Sequence, residues 1–111
     1  MAKKVDVIVV LVTCKSKGEA RKIVMALVKK RLAACGNILE SPVSAIYWWK
    51  GKIERTKEYL VVLKSTRRVF AELEREVTRL HGYDVPEIVT IPVTGGSRKY
   101  LAWVSGNVDE K

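Results

Sequence analysis

The chain has 111 residues, 48% of them apolar, and 21 Lys and Arg against 12 Asp and Glu, a formal net charge of +9. That length fits one domain with one core, and that apolar share excludes a disordered chain. No apolar run nears the ~20 residues of a membrane-spanning helix, and the positive balance favours anionic partners without choosing among nucleic acid, membrane surface and small acidic ligands.

The start, Met1-Ala2-Lys3-Lys4 before Val7 to Val12, superficially resembles a signal peptide, but Asp6 interrupts it and no A-x-A site follows. Val5 to Val12 is nearly continuous in β-branched residues and predicts a central strand. Ser16 with Glu19 three residues on has capping-box spacing. Ala20, Ile23, Val24, Leu27, Val28 and Leu32 then recur at helical spacing, and Lys29-Lys30-Arg31 suit a solvated C-terminal end. Gly36 restarts the chain in extended form, and Pro42 predicts an edge strand or a bulge. Val43 to Trp49, a turn at Lys50-Gly51-Lys52 and a returning strand at Tyr59 to Leu63 read as a long hairpin.

Thr66 is placed to cap a second helix with the stripe Phe70, Leu73, Val77 and Leu80, and Gly82 to follow its end as a C′ residue. Pro86 opens a last strand, Glu87 to Val93. Ser97 can cap a short helix with Tyr100, Leu101 and Trp103, and a polar tail begins near Asn107. The order β-α-β-β-α-β plus a terminal helix defines an α+β, ferredoxin-like fold, sheet order 4-1-3-2, with helices on one face.

In that topology Cys14, the hairpin tip, His81 and the loop Tyr83 to Glu87 share one end, while Cys35 lies at the other. A Cys14–Cys35 bridge is thereby excluded. Two cysteines without a C-x-x-C spacing point to a reducing, cytoplasmic compartment. His81, Cys14, Asp84 and Glu87 supply ligand types that hold copper or zinc, with no recognised metal spacing. The plain alternatives are a histidine seated on a helix C-terminus and an inert, buried thiol; Cys14 ahead of a helix N-terminus could also be reactive.

Tyr47, Trp48 and Trp49 could stack bases, but alternation puts Trp48 opposite the other two, which favours core or interface packing. Arg98 and Lys99 after Gly95-Gly96-Ser97 could receive an anion. Val43 to Trp49 holds no charge, and such an edge calls for pairing or cover, most simply by another copy of the chain. No nucleophile–base pair or RNP-type motif stands out, so neither an enzyme nor a nucleic-acid binder is expected.

Four blocks, Val12-Thr13-Cys14, Arg31-Leu32-Ala33-Ala34-Cys35-Gly36-Asn37-Ile38, Tyr47-Trp48-Trp49-Lys50-Gly51-Lys52-Ile53 and His81-Gly82-Tyr83-Asp84-Val85-Pro86-Glu87-Ile88, together resemble the CutA family of divalent-cation tolerance proteins, in order over roughly Val7 to Val104. The resemblance implies a tight homotrimer built by inter-subunit strand pairing, a PII-like architecture, and a link to tolerance of copper and other divalent metals. The chain departs from the family's usual residues at Lys15, Lys50 and Gly82. Val12 and Leu80 stand where bacterial members with a proposed copper site carry an extra Cys and a second His.

The expectation is therefore one CutA-like domain over residues 1–111, with 1–4 and 105–111 as polar tails. It would be a homotrimeric metal-tolerance protein binding copper or another divalent cation weakly through His81, Cys14, Asp84 and Glu87, with Tyr47, Trp48 and Trp49 at its interface. The competing expectation is a PII-like regulatory trimer holding an anionic small molecule in an inter-subunit cleft, with Arg98 and Lys99 as anion ligands.

Overall fold

The computed structural model describes residues 5–109; residues 1–4 and 110–111, the outer parts of the expected tails, lie outside the described residues. Strand β1 is Val7–Cys14, helix α1 Lys17–Lys29, β2 Cys35–Ile38, β3 Val43–Trp49, β4 Lys52–Thr66, α2 Phe70–Leu80, β5 Ile88–Pro92 and α3 Arg98–Gly106. The sheet order is β2-β4-β1-β5, every pairing is antiparallel, and β3 pairs with the outer half of β4. Counting β2 and β3 as one interrupted strand, this is the ferredoxin-like order 4-1-3-2. The interruption spans residues 39–42, where Pro42 cannot donate to a ladder.

The β-branched run puts one set of side chains under the helices and the other on the open face. Ile8, Val10, Val12 and Cys14 are buried with Val61 and Leu63 of β4, against Ile23 and Leu27 of α1, Leu73 and Val77 of α2 and Val104 of α3. On the open face, register aligns Val9 with Ile91 and Leu11 with Val89 and Val62. Val89 and Ile91 are 47% and 45% exposed, so this face presents an apolar strip.

Local chemistry sets the ends of the elements. The Ser16 hydroxyl accepts from Glu19 N–H at 3.1 Å, while the Glu19 carboxylate reaches back to Lys15 N–H at 3.0 Å. Helix α1 closes with Leu32 N–H on the Leu27 carbonyl and Arg31 N–H on the Val28 carbonyl, with Arg31 left-handed at φ 57°. Lys50 at φ 50° and Gly51 at φ 79° make the two-residue turn of the β3–β4 hairpin, of the type whose twist matches the strands.

Four expectations are corrected. The returning strand is far longer than Tyr59–Leu63, because β4 runs 15 residues, its outer half paired to β3 and its inner half to β1 and β2. Thr66 does not cap α2 with its side chain; a 3-10 turn, Arg67–Val69, intervenes and the Thr66 hydroxyl is buried without a partner. Gly82 is not a left-handed C′ residue; the chain leaves α2 by extending at His81, at φ −82° and ψ 145°. Residues 105–109 are no tail: α3 runs to Gly106, Val108 joins the core, and Asp109 N–H bonds the Arg31 carbonyl. The two cysteines are free; Cys14 lies opposite Tyr59 of β4 and Cys35 opposite Lys64.

Glu76 of α2 accepts two bonds from Arg79 and pairs with Lys30, the C-cap of α1, at 2.8 Å, which holds its carboxyl down at about 2. A depressed carboxyl contributes stability above its unfolded value and loses it as pH falls toward its folded one. The denaturant midpoint of the wild type is expected to fall between about pH 4.5 and pH 2 relative to that of Glu76→Gln; parallel profiles would remove Glu76 from the acid response.

Candidate functional site

The sheet is built so that several elements stop at one end. Strand β1 finishes at Cys14, α1 begins there, α2 ends there at Leu80, and the β3–β4 hairpin projects past them because β4 continues from Tyr59 outward to Lys52. Between hairpin and loop lies a cleft of about 850 Å³, lined by Thr13, residues 44–49, Glu58 and residues 82–87. Among the described residues its charged lining is carboxylate, from Glu58, Asp84 and Glu87, in a chain of net charge +9.

Of the expected metal ligands, the structure brings Cys14 and His81 together and adds Glu19; one ligand atom from each lies within 4.8 Å of the others. Asp84 and Glu87 sit apart from that cluster, exposed on the cleft wall. Glu19 was legible only as a capping residue, because the sequence gives no sign that it meets a loop 63 residues further on.

All three groups of the cluster are engaged or protonated. The His81 side chain is wholly buried. Its Nε2 lies 2.7 Å from the Thr13 carbonyl and its Nδ1 accepts from Tyr83 N–H at 3.1 Å. These partners assign a neutral ring with the proton on Nε2. Glu19 Oε1 accepts from Lys15 N–H, and Oε2 accepts from Gly82 N–H at 2.8 Å. Burial, then the negative charges of Glu19 and Glu58, push the Cys14 thiol up to about 12. Thiol, imidazole and carboxylate are the parts of a cysteine nucleophile site, but that chemistry needs a thiolate, and this thiol is buried and protonated. A metal needs the same deprotonation and a free imidazole lone pair. The cluster as folded offers neither.

The ionisation of the Tyr83 phenol is raised first by burial and then by the Glu58 carboxylate beside it. Trp48, Ile46 and Ile53 share one face of the hairpin and are 72%, 68% and 52% exposed; Tyr47 and Trp49 share the other. Arg98 and Lys99 occupy the exposed first turn of α3 and do not line the cleft.

An antiparallel ferredoxin-like sheet with helices on one face and a projecting aromatic hairpin places the molecule among small α+β proteins of ferredoxin-like topology. Within that class the chain belongs to the CutA1 divalent ion tolerance protein family, whose model matches residues 8–107. The divalent-cation tolerance protein CutA of Thermus thermophilus is 44% identical over 99 residues, 89% of this chain and 95% of that protein. The chloroplastic CutA of Arabidopsis thaliana is 37% identical over 106 residues, and there the chain spans 58% of its relative's length. Among solved structures, CutA1 from Oryza sativa superposes with a TM-score of 0.92 at 34% identity, covering 99% of this chain and 100% of that one.

Proposed function

We propose that this divalent-cation tolerance protein works as a closed homotrimer that binds the cation weakly at the cleft carboxylates Asp84 and Glu87, copper being the first metal to test, and that it catalyses no reaction. The observation that carries the assembly is the outer half of β4. Lys52–Glu58 pairs with β3 along one edge, and no strand among the described residues pairs the other. An open backbone edge beside exposed Trp48, Ile46 and Ile53 is a template for another copy of the chain. Three copies is the number the family resemblance implies, and a closed ring consumes every edge. The all-carboxylate charge of the cleft favours a cation there over an anion. Oxygen ligands on an exposed wall suit weak, exchangeable binding.

Light scattering is expected to give the mass of three protomers for the wild type and a lower mass for Trp48→Glu. A monomeric wild type would sink the assembly. Calorimetric Cu(II) titration is expected to weaken about tenfold or more in Asp84→Asn/Glu87→Gln, and unchanged binding in that double variant would sink the cleft carboxylates as ligands.

A further inference from the structure

We infer that Glu19 and His81 form a closed latch which seats the Gly82–Glu87 loop on the end of β1 and the start of α1, and that this latch, with Cys14, does not take the cation. Each member joins two backbone groups from different parts of the chain. Glu19 receives Lys15 N–H from the loop before α1 and Gly82 N–H from the loop after α2. His81 links the Thr13 carbonyl of β1 to Tyr83 N–H. Two successive loop amides are thereby satisfied by side chains rather than by a strand or helix.

The approach is close. A methyl group on Gly82 would stand 2.9 Å from Lys15 Nζ and 3.0 Å from Glu19 Oε2.

A cation at this cluster would undo the latch. Coordination at His81 Nδ1 would strip the acceptor from Tyr83 N–H, and coordination at Nε2 would displace a proton and the Thr13 carbonyl. A cation drawing the Glu19 carboxylate away would take the charged acceptor from Lys15 N–H and Gly82 N–H and so break two charge-assisted bonds that tie the loop down. Cys14 would also have to ionise where it has no water around it. The cluster therefore positions the segment carrying Asp84 and Glu87. That consequence rests on the cation reading above, whereas the latch stands independently of it.

The test is amide hydrogen exchange at Gly82 and Tyr83 in the whole protein, with ring-nitrogen NMR of His81 during titration with zinc chloride. Glu19→Gln replaces one accepting oxygen with an NH₂ that cannot accept, which frees Gly82 N–H or Lys15 N–H and unseats the loop that also holds Tyr83 N–H on His81, so exchange at Gly82 and Tyr83 is expected to rise at least tenfold. Cys14→Ala is expected to leave exchange, and any Zn(II) affinity, within about threefold. Unchanged exchange in Glu19→Gln overturns the latch. A shift of the His81 nitrogen signals on adding Zn(II), or a tenfold affinity loss in Cys14→Ala, overturns the exclusion of the cation. A wild type that binds no Zn(II) supports the exclusion and counts against the cleft reading alone, while the exchange rates still decide the latch.

Discussion

Replacing Leu27 with Ala is expected to destabilise the fold by about 3 kcal/mol, the middle of the range for emptying a buried leucine site. Leu27 is fully buried, on the face of α1 that meets the core. Its carbonyl receives Leu32 N–H and Ala33 N–H, and those backbone bonds survive the substitution. Alanine is also the better helix former, so the loss isolates transfer and cavity costs from helix propensity. A fall in melting temperature of roughly 10 °C or more corresponds to that loss. Guanidinium unfolding at one fixed protomer concentration measures it, because assembly adds stability by mass action. A change below about 1 kcal/mol would mean that the end of α1 collapses freely onto the sheet.

Gly36→Ala is expected to cost about 2 kcal/mol, and here the sign is informative. A glycine in a strand ordinarily gains stability on becoming alanine, since the unfolded chain loses freedom. Gly36 has no positive φ to protect. What it has is neighbours: an added Cβ would lie 2.8 Å from both Leu63 Cδ2 and Val24 Cγ1, and 3.1 Å from Val24 Cγ2. Leu63 is fully buried and has nowhere to swing, so the methyl group wedges α1 from β4. A neutral or stabilising result in the same unfolding experiment would show that α1 shifts over the sheet without strain.

Much of the architecture was legible where local chemistry and burial agree. The nearly continuous Val5–Val12 run, the Ser16 and Ser97 caps, the Pro42 break and the Lys50-Gly51 turn each carry their own reason, and each is observed at or within two residues of its expected place. The outer half of β4 was not legible. Lys52 to Glu58 mixes charge onto both faces because no core lies beneath it, so the apolar alternation that marks a strand is missing. Gly82 was misplaced for a related reason. A glycine after a helix suggests a left-handed cap, but here it is small because Glu19 and Lys15 crowd it, and crowding by residues 63 and 67 positions away leaves no mark on local sequence. Val108 looked like tail because a lone valine among polar residues has no periodicity to display. At the site, the sequence could pair Cys14 with His81 through topology alone. That Glu19 would complete the group, and that hydrogen bonds would occupy it, depended on register and rotamer.

The placement of the two thiols has a consequence for where such a fold can live. Cys14 and Cys35 face β4 positions five residues apart, on the order of 17 Å along the strand, far beyond the span of a disulfide. No intrachain cross-link is there to be lost under reducing conditions or gained under oxidising ones. The protomer thus holds no internal disulfide on which its stability could depend. The sparse cysteines, which first pointed to the cytoplasm, describe a fold that is built without a cross-link.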